Sequence, residues 1–269
     1  MLHIDPRHDD LRTDDPRAPE RRHVSQPPGL DPRHDDRRSP LRLPPDTYGL
    51  SARDLETLRT IGSFRAVRSD DLHETLHVSP RALRTLQAQR LLDRRRVDDA
   101  VYLTLTREGQ RVVRAADPGV VIHRGFVKPR ELLHDAALYR MYQAHARMLR
   151  EAGATLERVR LDYELKSLVQ RAVDKRAEAE ALGLPYDPAT QRVQFPDLQI
   201  EYRAPGGERE RVNLELSTEH YSTKTLREKA AAGFILYGLR AGGAAASTTR
   251  RHTGGGGGHR HRDIELYSL

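Results

Sequence analysis

The sequence predicts a mixed α+β or α/β chain with two folded parts behind an unstructured N-terminal tail. Three observations predict it. Apolar residues recur at helical spacing in several segments between residues 51 and 116, and two strand-like strings flank Asp98-Asp99. From residue 129 onward the order reads helix, strand, inserted helix, strand, strand, helix, strand. Residues 1–46, by contrast, are dominated by Pro, Arg, Asp and His and hold too little apolar surface to offset the entropy of ordering. At 269 residues the chain is too long for one small domain and long enough for two.

The tail reads as disordered. Its hexapeptide Asp5-Pro-Arg-His-Asp-Asp10 recurs as Asp31-Pro-Arg-His-Asp-Asp36. The repeat is either a short recognition motif or the trace of a tandem duplication. The formal net charge is +7, carried mostly by arginine. That balance favours a polyanionic partner, because phosphate contacts supply affinity without base readout; a GC-rich gene would also produce it. Cysteine is absent. Disulfides and cysteine-based zinc sites are therefore excluded, and a cytoplasmic location is expected. No apolar run approaches the ~20 residues of a membrane span. The first residues, Met1-Leu-His-Ile-Asp-Pro-Arg-His8, lack the apolar stretch of a secretory signal. No membrane partner is expected.

Residues 48–116 form the first folded part. Ser51 is placed to cap a helix that buries Leu55, Leu58 and Ile61 and stops at Gly62. Ser69-Asp-Asp-Leu72 opens a short second helix ending near Leu76. Ser79 and Pro80 open a third, with Ser as N-cap and Pro at the first helical position, and Leu83 and Leu86 face inward. Two strands turn at Asp98-Asp99, and Thr106 begins a closing helix. Three helices, a β-hairpin and a closing helix resemble a winged helix-turn-helix domain. In that resemblance the third helix is the recognition helix, offering Arg81, Arg84, Thr85, Gln87 and Arg90 to double-stranded DNA. Arg94, Arg95 and Arg96 lie at the wing, where they grip the backbone. The same arginines would also suit a solvated helix face, and winged helices serve as protein-interaction modules too. Residues 117–129 read as a linker with one short strand at Val120–Ile122.

The second part spans residues 130–269. A long helix opens at Pro129 and closes at Gly153, as glycine often closes one. Strands follow at 155–162, 192–202 and 210–216, with a charged helix at 164–182 inserted between the first two. An amphipathic helix over 223–239 carries Leu226, Ala230, Phe234 and Tyr237 on one side. After the low-complexity segment 241–262, residues 263–269 have the pattern of a last strand. Gly254–Gly258 lacks the spacing of a phosphate-binding loop, and the flanking Arg250, Arg251, His252, His259 and His261 read as low complexity. Neither a nucleophile–base constellation nor a dinucleotide fingerprint is present.

Two carboxylates stand out in this order. Asp197 follows Pro196 at the second strand, Glu215 lies in the third, and Lys224 and Lys229 occupy the next helix. Two carboxylates on neighbouring strands can share one Mg²⁺, and a nearby lysine can stabilise charge on a phosphate. The αβββαβ order and these residues resemble the restriction-endonuclease-like core of PD-(D/E)xK nucleases. The resemblance implies Asp197 and Glu215 as metal ligands, with Lys224 or Lys229 completing the catalytic set. The lysine expected two residues after Glu215 is Ser217. If neither helix lysine reaches the pair, the domain binds without cutting. His134 either orients a ligand or acts as a base there, or is a structural histidine. Glu219 and His220 either support the pair or belong to the loop before the helix.

A winged helix, a helix carrying Leu132-Leu-His134-Asp, then Pro196-Asp197, Glu215, Lys224 and Lys229 together resemble the replication-relaxation protein family over residues 48–240. That resemblance implies a bacterial, cytoplasmic DNA-binding protein acting in plasmid or mobile-element replication or relaxation. Its partners would be double-stranded DNA and replication or mobilisation proteins, with Mg²⁺ the only cofactor and a degenerate active site. A Mg²⁺-dependent DNA endonuclease and a winged-helix transcriptional regulator are the alternatives.

Overall fold

The computed structural model describes residues 37–123, 129–188, 190–217, 221–238 and 266–269, which form a mixed α+β fold. Residues 39–46, expected in the tail, instead begin an antiparallel hairpin of β1 (Ser39–Leu43) and β2 (Asp46–Leu50). The hairpin is held from outside. The Gln89 side chain donates to Gly49 O and accepts from Gly49 N, Arg111 donates to Leu43 O and Pro44 O, and the Tyr48 hydroxyl donates to Glu108. The rest of the tail, including both copies of the repeat, lies outside the described residues.

Seven elements follow: α1 (Ala52–Phe64), β3 (Val67–Arg68), α2 (Ser69–Leu76), α3 (Pro80–Ala88), β4 (Leu92–Val97), β5 (Ala100–Leu105) and α4 (Arg107–Ala116). Ser51 and Asp54 close a reciprocal capping box at the start of α1. The three strands pair antiparallel in the order β3-β5-β4. Gly109 lets the first turn of α4 press on the chain entering β4; a Cβ there would stand 2.2 Å from Leu91 O. The strand expected at Val120–Ile122 does not form. Val120 is buried and His123 N donates to Gly62 O, so the segment packs on α1 without a ladder.

The remaining elements are α5 (Pro129–Glu151), β6 (Thr155–Leu161), α6 (Asp162–Arg171), α7 (Lys175–Ala181), β7 (Tyr186–Asp187), β8 (Arg192–Val193), β9 (Leu198–Arg203), β10 (Arg209–Ser217), α8 (Thr223–Ala231), β11 (Ile235–Gly238) and β12 (Leu266–Ser268). The sheet order is β12-β11-β10-β9-β6; β6, β9 and β10 form an antiparallel meander, and β11 and β12 run parallel to β10.

Three boundaries differ from expectation. The inserted helix is two helices, because Asp174 caps a new start by accepting from Arg176 N and Ala177 N. The second strand is split between β8 and β9, since Pro196 has no N–H for a ladder. The helix expected over 223–239 stops at Ala231. Gly233 turns the chain at φ +84°, Phe234 N bonds back to Lys229 O, and Tyr237 belongs to β11. Phe234 and Tyr237, three apart, satisfy helical spacing, while the chain buries them through a turn and a strand.

Helix α5 joins the two parts. Between Leu132 and Ala146 it is buried on more than one side, through Leu132, Ala136, Tyr139 and Ala146 and through Leu138, Met141 and Tyr142, while Leu133 is exposed. Tyr139 and Tyr142 meet Phe64 of α1 at ring-centroid distances of 5.1 and 5.2 Å. Thr75 and Tyr139 share a hydrogen bond of 2.5 Å, and the same helix packs on β6 and β10. One apolar cluster therefore runs from Tyr48 to Leu269 through both parts. Among the described residues no helix is long and apolar enough to cross a membrane.

Candidate functional site

The first candidate is the cationic face of α3 and β4. Ser79 accepts from Ala82 N, Pro80 begins the helix, and Leu83 and Leu86 are its buried side. The opposite side leaves Arg81 and Arg84 exposed and Thr85 and Gln87 half-buried. Arg90 follows the helix at φ +58°, exposed. In β4, alternation separates the three arginines. Arg94 and Arg96 stand opposite Leu103 and Val101, whereas Arg95 stands opposite Tyr102. Tyr102 packs with Leu132 and Ala136 of α5, so Arg95 is on the face turned from α3. The expected set is thus not one surface. Arg84, Gln87 and Arg94 meet on the rim of a cleft of about 440 Å³ whose floor is Val78, Leu83 and Leu103. Asp70 and Glu74 of α2 form its acidic wall. Arg96 is exposed and lies 3.6 Å from Asp99.

The second candidate is the carboxylate pair. Sheet alternation produces a polar face: Arg160, Gln199 and Asn213 form one row across β6, β9 and β10, and Arg158, Glu201 and Arg211 the next. The α6–α7 pair covers this face. Gln199 donates to Leu182 O, Asn213 to Gly183 O and Arg211 to Ala181 O. Burial alone would raise the Glu201 carboxyl; Arg160 and Arg211 outweigh it and hold the group below its usual range. The same alternation puts Glu215 on this face at the end of the meander.

There, Asp197 and Glu215 meet. Asp197 N donates to Glu215 Oε2 at 3.3 Å, and Asp197 Oδ2 accepts from Leu216 N at 2.8 Å. Lys229 Nζ reaches Glu215 Oε1 at 3.0 Å and donates to Phe195 O at 3.1 Å. Tyr221 OH also donates to Glu215 Oε1, at 2.8 Å. Burial, then the charge of Asp197, pushes the Glu215 carboxyl up; Lys229 and Tyr221 oppose the shift. The phenol of Tyr221 is pushed up by burial and by Glu215. On the other side, His134 Nε2 stands 3.7 Å from Asp197 Oδ1 and Nδ1 stands 3.9 Å from Asp135 Oδ1. These are ion-pair separations too long for good hydrogen bonds. Asp135 and Asp197 push the His134 imidazole up to about 10, against the opposing effect of burial. Arg65, just past the end of α1, approaches Asp135 at 3.5 Å, carrying the polar chain into the first part of the molecule.

The structure therefore brings Asp197, Glu215 and Lys229 together and leaves Lys224 out. Lys224 is 86% exposed and 3.8 Å from Glu228, an ordinary surface pair one helical turn along. Tyr221 and Arg65 have no motif in the sequence to mark them, whereas Asp135 closes the Leu132-Leu-His134-Asp string. Glu219, His220 and the Gly/His-rich residues 250–261 lie outside the described residues. Among the described residues, no group of three His, Cys, Asp or Glu side chains is arranged to hold a metal ion. A scan of protein-family models and searches of curated proteins and solved structures find no match to this chain.

Proposed function

We propose that the chain is a DNA-binding protein in which residues 48–116 act as a winged helix-turn-helix and residues 130–269 as a nuclease-like partner domain that does not cut. The observation that carries the reading is the cationic cleft rim, where Arg84 and Gln87 of α3 converge with Arg94 of β4. Helix α3 supplies side chains that pair with base edges, and the hairpin supplies backbone contacts. The element order α1-β3-α2-α3-β4-β5, with a three-stranded antiparallel sheet, supports it. The net charge of +7 agrees with a polyanionic partner. In this reading the protein serves plasmid or mobile-element replication or relaxation in a bacterial cytoplasm, beside replication or mobilisation proteins.

The test is a titration of double-stranded DNA at several salt concentrations. Affinity should fall steeply, with a log–log slope of about −0.9 per phosphate contacted. Arg84→Ala should weaken binding more than Arg176→Ala, because Arg176 lies on α7, paired with Glu180. A flat salt dependence, or equal effects of the two variants, would reject the reading.

A second reading, a Mg²⁺-dependent endonuclease, has one observation in its favour: Asp197, Glu215 and a lysine do converge. Nicking of supercoiled plasmid that both Asp197→Ala and Glu215→Ala abolish would establish it.

A further inference from the structure

We propose that Lys229 is the resident cation of the Asp197–Glu215 pair, and that the pair refuses a divalent metal and instead pins α8 to the strand ends. Magnesium needs near-octahedral oxygen coordination at ~2.0–2.1 Å, usually one or two carboxylates with several retained waters. The two carboxylates are present, but three of their four oxygens are already engaged. Glu215 Oε1 holds Lys229 and Tyr221, Glu215 Oε2 faces Asp197 N, and Asp197 Oδ2 accepts from Leu216 N. Glu215 is only 2% exposed, so a hydrated ion could reach it from solvent only by displacing its neighbours.

Lys229 is not a side chain poised to swing away. It is anchored by Phe195 O at 3.1 Å and lies 4.6 Å from the ring centroid of Phe234. Its withdrawal would leave the buried carboxylate without its countercharge and Phe195 O without this donor, a costly outcome in a buried site. On the other side of the pair, His134 Nε2 stands 3.7 Å from Asp197 Oδ1. Lys229 thus compensates the pair from within the chain, and a divalent ion would enter against its charge. The inference concerns the carboxylate pair alone and stands or falls independently of DNA binding by α3.

The experiment is a Mn²⁺ titration of the full chain, read as loss of the free-ion electron paramagnetic resonance signal. Circular dichroism checks that each variant is folded. Wild type and Asp197→Asn should bind equal numbers of ions, any ions held elsewhere being common to both. Lys229→Met should gain one ion, and Lys229→Met/Asp197→Asn should lose it again. Wild type binding one more ion than Asp197→Asn would overturn the proposal. So would a folded Lys229→Met that gains none, since Lys229 would then not be the excluding group. If Lys229→Met does not fold, the comparison of wild type with Asp197→Asn decides alone.

Discussion

Replacing Lys229 by methionine tests the energetics of the carboxylate pair most directly. Methionine keeps an apolar stem beside Phe234 and removes the charge together with the hydrogen bond to Phe195 O. The ammonium and Glu215 Oε1 are 3.0 Å apart. At an effective dielectric of about 20 that separation corresponds to ~5–6 kcal/mol of attraction. The partial exposure of Lys229 and the cost of burying the carboxylate reduce the net value. Removing one partner of a buried pair costs ~3–5 kcal/mol in general. The Tyr221 hydroxyl and Asp197 N–H remain as donors, so the lower end, ~3 kcal/mol at neutral pH, is expected. For a chain of this size that is a fall in melting temperature of roughly 6–12 °C.

The loss should depend on pH. In the folded chain Glu215 titrates above its usual value of 4.5, raised first by burial. A carboxyl raised on folding favours the folded state most in acid, and that contribution is lost as pH climbs through the folded pKa. Without Lys229 the folded pKa rises further. The deficit of Lys229→Met against wild type should therefore be small near pH 4.5 and grow above it. Urea unfolding at several pH values measures it, with Lys229→Met/Glu215→Gln as the control. A deficit equal at acid and neutral pH, or a double variant as unstable as the sum of the two singles, would refute the reasoning.

Four further outcomes are expected. Arg94→Ala should reduce the salt slope of DNA binding by about 1, while Arg95→Ala, on the Tyr102 face, should leave it unchanged. Phe64→Ala, removing the ring between Tyr139 and Tyr142, should cost ~3–5 kcal/mol in a denaturant titration. Asp71 is lifted to about 6, mainly by burial, so it favours the folded state below its usual 3.8 and loses that contribution as pH rises through 6. Asp71→Asn should then stabilise by roughly 1–2 kcal/mol above pH 6 and by almost nothing near pH 4, which melting curves at the two pH values will show. Gly109→Ala should destabilise by ~1–3 kcal/mol, because its methyl would meet Leu91 O at 2.2 Å; unchanged thermal unfolding would mean that α4 shifts freely.

What could be read from residues alone was whatever neighbouring residues decide. Ser51 and Ser79 cap their helices because a short hydroxyl three residues before a free N–H needs no tertiary partner. Leu83 and Leu86 mark the buried side of α3, Gly153 ends α5, and acidic position 197 falls just before β9 with 215 within the neighbouring β10. The hairpin at 39–50 escaped notice for the opposite reason: its stabilising partners, Gln89 and Arg111, lie 40 and 68 residues from the groups they hold. Pro and Arg content argued for a tail, and non-local packing outweighed it. The choice between Lys224 and Lys229 was likewise closed to sequence, since both sit on one helix and only its phase against β10 and Phe195 brings one ammonium to Glu215. So was the partition of Arg94 from Arg95, which depends on which face of β4 the cleft occupies. Spacing along a helix or strand says which residues share a side. Which side meets which neighbour is set by burial summed over the whole core, and no local window contains that sum.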